Sequence, residues 1–556
     1  MDRLPVIYVR GYAGSTSGIN AQVDDPFYGF NEGATHIRVG GDGDPTYYQF
    51  EGPMLRLMTD ENYRLLVRGD QQHYLESADD GSLPPESVWV YRFYDQAATT
   101  FAQPPQEGVL ARLWDRLHQA VTADGFDIEA AAAGLYDLVV LVRAKTGAPQ
   151  VFLVAHSMGG LICRSMIQKV CAEEDRLAAR DIVARLFTYG TPHGGIAFDI
   201  GALDWAQDAF GPAGADIFSP PKMYGYLTPG KHFGDLPGPR DDWDPQALDS
   251  QVLPPSRVFC LIGTDPQDYG PSQMVVGPKS DGLVTIERAY VRGAHRSYVH
   301  RSHSGRYGEV NSEEGYQSLR RFLFGRWGAS IMLRGLPAYP SDMAALPEAD
   351  RWPVWQADMR LTIRGLPIVL SEQLAEDWCP IQINEELARH VDTADTPVPL
   401  ASTFLMDPAH EAELALERHE QARPAAHGGR LRYVLTLKVF KLVQTRSGFL
   451  FTDHLEQVPE WADTLIVDVG PDDAGDGLTA WAAWNSQVSG PNDLSDPITE
   501  GLPPEQRAPL AFERDGDGGQ SCRVELPDVA RTLQVLGQQA YLRLTVTDRL
   551  NETTGG

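Results

Sequence analysis

The sequence predicts an α/β protein followed by a mainly β region, and three observations carry that reading. Over roughly residues 1–326, short β-branched runs alternate with helical stretches, the pattern of a mostly parallel sheet flanked by helices. The apolar run at 151–155 passes straight into a helical run through a serine set between small residues, a strand–turn–helix junction. After about Arg326 the texture changes to short alternating runs separated by Pro, Gly and Asp clusters. With 556 residues, 42% of them hydrophobic, the chain is long enough for a sizeable core, which excludes a disordered or peptide-sized scaffold.

The elements follow in chain order. Strands are predicted over 5–9, 88–93, 150–155, 185–189 and 257–262, each a run rich in Val, Ile, Phe or Tyr. The helix over 128–145 has an apolar face made by Ile128, Leu135, Leu138, Val139 and Val142. A second helix is predicted from Met158 to about Ala172, and a third over about 313–324. Two insertions interrupt the alternation, at about 15–86 and 197–255. The second carries Trp205, Phe210, Phe218, Met223, Tyr224, Tyr226, Phe233 and Trp243, and it reads equally as a lid with an apolar inner face or as ordinary packing. Residues 327–556, with runs at 359–363, 432–442, 464–469 and 540–547, are predicted to form a sandwich-like accessory domain. The tetrapeptide RGLP occurs at 334–337 and 364–367, too few copies for a solenoid.

Charge narrows the partners. Against 47 Lys plus Arg stand 76 Asp plus Glu, a net −29. Such a surface repels phosphate backbones and anionic headgroups, so neither nucleic acid nor an electrostatically held membrane is expected as a partner. No stretch of about 18 apolar residues predicts membrane insertion, and MDRLPVIYVR lacks the pattern of a secretory leader, so a cytoplasmic location is expected. Five scattered cysteines without CxxC spacing predict neither a disulfide framework nor a structural zinc. The acidic turns at 471–476 and 515–519 lack the spacing and terminal Glu of an EF-hand and read as solvated turns; no metal or cofactor is expected.

The chemistry concentrates at Val151-Phe-Leu-Val-Ala-His-Ser-Met-Gly-Gly160. A strand running into small-x-Ser-x-small and then a helix is the nucleophile-elbow pattern. The turn is so tight that the positions two before and two after Ser157 must be small, and Ala155 and Gly159 meet that need. It lifts the Ser157 hydroxyl out of the fold and aims the Met158 backbone N–H at the space beside it. His156 is pinned inside the same turn and is not expected to act as base.

On these residues the first 326 positions resemble the α/β-hydrolase superfamily, and specifically its lipase-like branch of bacterial triacylglycerol lipases, lecithin:cholesterol acyltransferase-like and GPI inositol-deacylase-like enzymes. The segment Ile7-Tyr-Val-Arg-Gly-Tyr-Ala-Gly14 looks like the loop supplying half of that family's oxyanion hole, with Arg10 in place of the usual His. By that resemblance Tyr12 donates its backbone N–H alongside Met158. Thr188-Tyr-Gly-Thr-Pro-His-Gly-Gly195 looks like the family's GTPHxG segment, and triad order makes its His193 a wall residue rather than the base. Asp281, in Ser-Asp-Gly-Leu-Val, resembles the triad acid, with Asp265 and Asp268 as competitors nearer a strand end. His303 stands where the family's base belongs and is preferred to His300, in a short strand expected over 297–300, and to His295.

The resemblance implies a serine hydrolase of carboxylic esters, lipase or esterase in type, acting on an apolar acyl ester or lipid through an acyl-enzyme. A phospholipase or acyltransferase on complex lipids, and an inactive binding protein on a hydrolase fold, are the alternatives.

Overall fold

In this computed structural model the described residues are 3–11, 34–39, 45–50, 52–66, 71–91, 121–122, 125–126, 128–196, 218–267, 277–303, 308–345, 352–417, 431–447, 452–471, 478–488, 498–504, 507–514 and 519–549. They form two compact units, Met1–Phe324 and Gly325–Gly556. Tyr12, Trp205, Phe210, Asp268 and the greater part of the two acidic turns lie outside the described residues.

The first unit is built on six parallel strands: β1 (Val6–Val9), β2 (Val88–Tyr91), β3 (Val151–His156), β4 (Val183–Tyr189), β5 (Val258–Gly263) and β6 (His295–Val299). Their order across the sheet is β6-β5-β4-β3-β1-β2. β1 and β5 are buried along their whole length, which is why they read as unbroken apolar runs. From β1 the chain moves out to β2, then crosses to β3 on the other side and continues outward. The order reverses between β1 and β3, and a crevice at the carboxyl ends of such strands is where open α/β sheets bind ligands.

Five helices matter to the site: α1 (Gly52–Asp60), α2 (Ile128–Thr146), α3 (Met158–Gln168), α4 (Pro220–Leu227) and α5 (Glu313–Phe324). α2 buries Ala131, Leu135, Leu138, Val139 and Val142, and Gly147 at φ +68° ends it. α3 stops short of the expected Ala172, tightening into a 3-10 turn over Val170–Ala172. α5 sets Phe322 against Phe187 and Phe259 and Phe324 edge-on to Phe152, and Arg185 caps its last turn at the Phe322 carbonyl. The last strand covers His295–Val299, so His300 falls just past its end.

The second unit has two antiparallel sheets. One runs β10 (Val398–Leu405), β7 (Trp327–Arg334), β16 (Tyr541–Asp548), β15 (Gln520–Glu525), β14 (Glu513–Arg514). The other runs β9 (Ser371–Gln373), β8 (Val354–Ile363), β11 (Leu431–Ser447), β12 (Thr452–Pro471), β13 (Leu478–Trp484). Ile331, Leu333, Leu542 and Leu544 of the first share one core with Leu361, Leu435, Leu437 and Val467 of the second. Both RGLP copies are the turns that leave β7 and β8, with Gly335 at φ +71° and Gly365 at φ +87°. No helix among the described residues is long and apolar enough to cross a membrane.

Candidate active site

Ser157 stands at the end of β3, where the strand order reverses, with φ 53° and ψ −127°. Its backbone is fastened on both sides: its N–H donates to Tyr189 O at 2.9 Å, and its carbonyl accepts from Thr191 Oγ1 at 2.9 Å. The small residues around it are dictated by space. A Cβ on Gly159 would lie 2.3 Å from Val9 O, and one on Gly160 would lie 2.1 Å from Thr191 Oγ1. A Cβ on Gly11, at the end of β1, would lie 2.9 Å from Ser157 Cβ. Met158 is the first residue of α3, so its N–H belongs to the helix-end donors that have no acceptor within the helix.

Three side chains then fall in line. His303 Nε2 is 2.9 Å from Ser157 Oγ, and His303 Nδ1 is 2.8 Å from Asp281 Oδ2. All three are buried: Ser157 is 7% exposed, Asp281 1% and His303 2%. Asp281 Oδ1 accepts the backbone N–H groups of Leu283 at 2.9 Å and Val284 at 2.7 Å, which fixes the carboxylate for His303. Backbone bonds hold His303 as well: its N–H donates to Asp281 O at 2.8 Å, and its carbonyl lies 2.9 Å from His156 Nε2.

The competing residues are placed elsewhere. His193 is fully buried with Nε2 3.0 Å from Thr188 Oγ1, and burial, then Arg164, pushes its pKa well below the ordinary imidazole value. His300 is exposed and faces Thr264 at 3.4 Å. His295 packs its ring near Phe259 and Phe322. Asp265 caps its own turn by accepting from Gln267 N–H at 2.8 Å.

Three contributors are not apparent from the sequence. His156 is a strut: burial first, then the nearby His303, pulls its pKa down to about 3, so the neutral ring can donate to the His303 carbonyl. Arg164 on α3, 1% exposed, bonds the carbonyls of His193, Pro245 and Ala247 and thereby ties the second insertion to the elbow helix. Glu309 is buried beside Asp281 and His303. Within the described part of that insertion, Phe218, Met223 and Tyr226 are buried, with Ser165 Oγ donating to Tyr226 O at 2.8 Å, whereas Phe233 and Leu236 are exposed.

His156, His303 and Glu309 bring one potential ligand atom each within 4.8 Å of the others. A metal does not fit the arrangement, because His156 Nε2 is engaged with a carbonyl and both His303 nitrogens are engaged with Asp281 and Ser157.

No protein-family model matches the sequence, and no curated protein matches it. Among solved structures, the chain is similar to a candidate cell surface hydrolase from Lactobacillus plantarum WCFS1, at 12% identity and TM-score 0.25, covering 58% of this chain and 92% of that one. It is also similar to a lin2722 gene product from Listeria innocua, at 13% identity and TM-score 0.22, covering 58% of this chain and 94% of that one.

Proposed function

We propose that the protein is a serine hydrolase of carboxylic esters, lipase or esterase in type, with Ser157 as nucleophile, His303 as base and Asp281 as the acid that orients it. The observation carrying this reading is the unbroken line from Ser157 Oγ through the His303 ring to Asp281 Oδ2 at the end of β3. A serine hydroxyl is a weak nucleophile until a base takes its proton, and His303 Nε2 is within reach to do so. Asp281, on the other ring nitrogen, holds the tautomer that leaves Nε2 open to accept and stabilises the imidazolium that forms. The proton then passes to the departing alcohol, and water, deprotonated by the same ring, releases the acyl group.

The oxyanion would lie against the Met158 N–H, with the Tyr12 N–H as its second donor; one such donor is worth about 3 kcal/mol in the transition state. An apolar, uncharged acyl ester suits a chain at −29, whose field disfavours anionic substrates. The test is Ser157→Ala. The wild type should turn over p-nitrophenyl esters and react with a fluorophosphonate probe, and the variant should do neither. Labelling that survives the substitution removes Ser157 from the mechanism, and a wild type active only on acetate removes the lipase reading.

A further inference from the structure

One ionisable group at the site has no part in that mechanism. Glu309 is 0% exposed, and among the described residues its carboxyl oxygens make no hydrogen bond of normal geometry, the Gly263 amide being the backbone donor that acts on them. Its position is not incidental. A Cβ built on Gly190 would lie 2.0 Å from Glu309 Oε1, 2.9 Å from His303 Nδ1 and 3.0 Å from Asp281 Oδ2, so the three atoms surround one point. On the far side, a Cβ on Gly263 would lie 2.8 Å from Asp281 Cβ and 3.3 Å from Glu309 Oε2.

Two carboxyl groups therefore share one buried space and differ in what supports them. Asp281 receives two backbone N–H groups and the His303 ring. Glu309 receives no comparable set. Burial, and then the charge of Asp281, hold its pKa well above the ordinary carboxyl value, and the Gly263 amide offsets only part of that. Two like charges this close in a dry interior do not both persist, so a single proton settles on the carboxyl with fewer donors. The other charged groups on the surrounding elements are committed elsewhere: Glu313 of α5 to Arg56 of α1, and Glu314 to Arg301. Arg10 acts on the His156 side, and His156 itself is neutral.

We propose that Glu309 is a positioning residue of the Ser157–His303–Asp281 site: it stands as a neutral carboxylic acid behind His303 and confines the negative charge to Asp281. The proposal rests on the hydrolase reading above. Its consequence is specific. When Asp281 is made neutral, its share of what keeps the proton on Glu309 is removed and burial alone remains, so Glu309 ionises at a lower pH than in the wild type. Glu309 then gives that proton to solvent and supplies the counter-charge for the His303 imidazolium.

Two measurements test it. Isotope-edited infrared spectroscopy of the wild type with 13C-labelled glutamate should show a protonated carboxylic acid band persisting at neutral pH and missing in Glu309→Gln. Absence of that band from the wild type overturns the proposal without reference to turnover. The second measurement is kcat/KM against pH on p-nitrophenyl butyrate for the wild type, Asp281→Asn, Glu309→Gln and the double variant. Glu309→Gln alone should cost a few-fold. Asp281→Asn should keep residual activity that rises with pH, and the double variant should fall at least about tenfold below it with no such rise. Simple multiplication of the two single effects overturns the proposal. A wild type that hydrolyses no ester overturns the hydrolase reading instead, while the infrared band still decides the state of Glu309. If Glu309→Gln does not fold, the wild-type band and the pH dependence of Asp281→Asn carry the test.

Discussion

Ser157 is held in a backbone region that residues with a Cβ seldom enter, at a cost of about 1–3 kcal/mol that the surrounding bonds must offset. Gly159 makes that geometry possible, because a Cβ there meets Val9 O at 2.3 Å and Arg10 O at 2.7 Å, both backbone atoms that cannot swing away. Gly159→Ala should therefore lower the urea unfolding free energy by about 1–3 kcal/mol and abolish ester turnover; a wild-type midpoint would show that β1 can yield. Glu309 makes a second prediction, about pH. Its folded pKa is raised above 4.5, so the stability it allows is fully present below that value and is lost as pH rises toward the folded pKa. The melting temperature of Glu309→Gln relative to wild type should then climb as pH rises above about 4.5, and a constant difference would refute the linkage. Ala155, Ser157, Gly159 and Gly160 were legible because four nearby positions meet one local steric demand. Glu309 and His156 were not, because their work depends on partners far away in the chain: His156 bonds a carbonyl 147 positions on.

At the scale of elements, the parallel sheet was readable because buried strands are continuous apolar runs, and the helices of the first unit because their apolar faces repeat. The long strands of the second unit were only partly so. β12 extends over Thr452–Pro471, whereas only 464–469 reads as a strand, because Pro459 interrupts the run as a breaker would. In the structure Pro459 stands opposite Phe440, where the register between β11 and β12 shifts, a bulge that tolerates a residue with no N–H. The end of α3 and its attachment to the second insertion depend on side chains from elsewhere. Arg164 bonds Pro245 O at 2.6 Å and Ala247 O at 2.7 Å, and burial lowers its pKa to about 10. Arg164→Met keeps the bulk and strands those carbonyls, so it should cost about 3 kcal/mol and raise amide exchange around 244–248 well before global unfolding. Unchanged exchange there would mean that Gln246, which donates to Glu287 O and Tyr290 O and accepts from Arg292 N–H, holds the segment without Arg164.

At the scale of the whole molecule the dominant quantity is the net charge of −29, carried by a chain with 76 acidic and 47 basic side chains. A field of that sign acts on a substrate before any contact forms, and salt turns it off: the Debye length falls from about 30 Å at 0.01 M to about 8 Å at 0.15 M. The residues at the proposed reaction centre, by contrast, are buried and nearly unaffected by added ions. Rate constants for two esters of similar size should therefore separate the two contributions. For neutral p-nitrophenyl butyrate, kcat/KM should change less than about twofold over that range of salt. For the singly charged p-nitrophenyl hemisuccinate it should start lower and rise several-fold, entirely through KM, as screening relieves the repulsion. A hemisuccinate rate that is flat in salt would mean that local positive groups near the site mask the net charge, and an anionic substrate would then become as admissible as a neutral one.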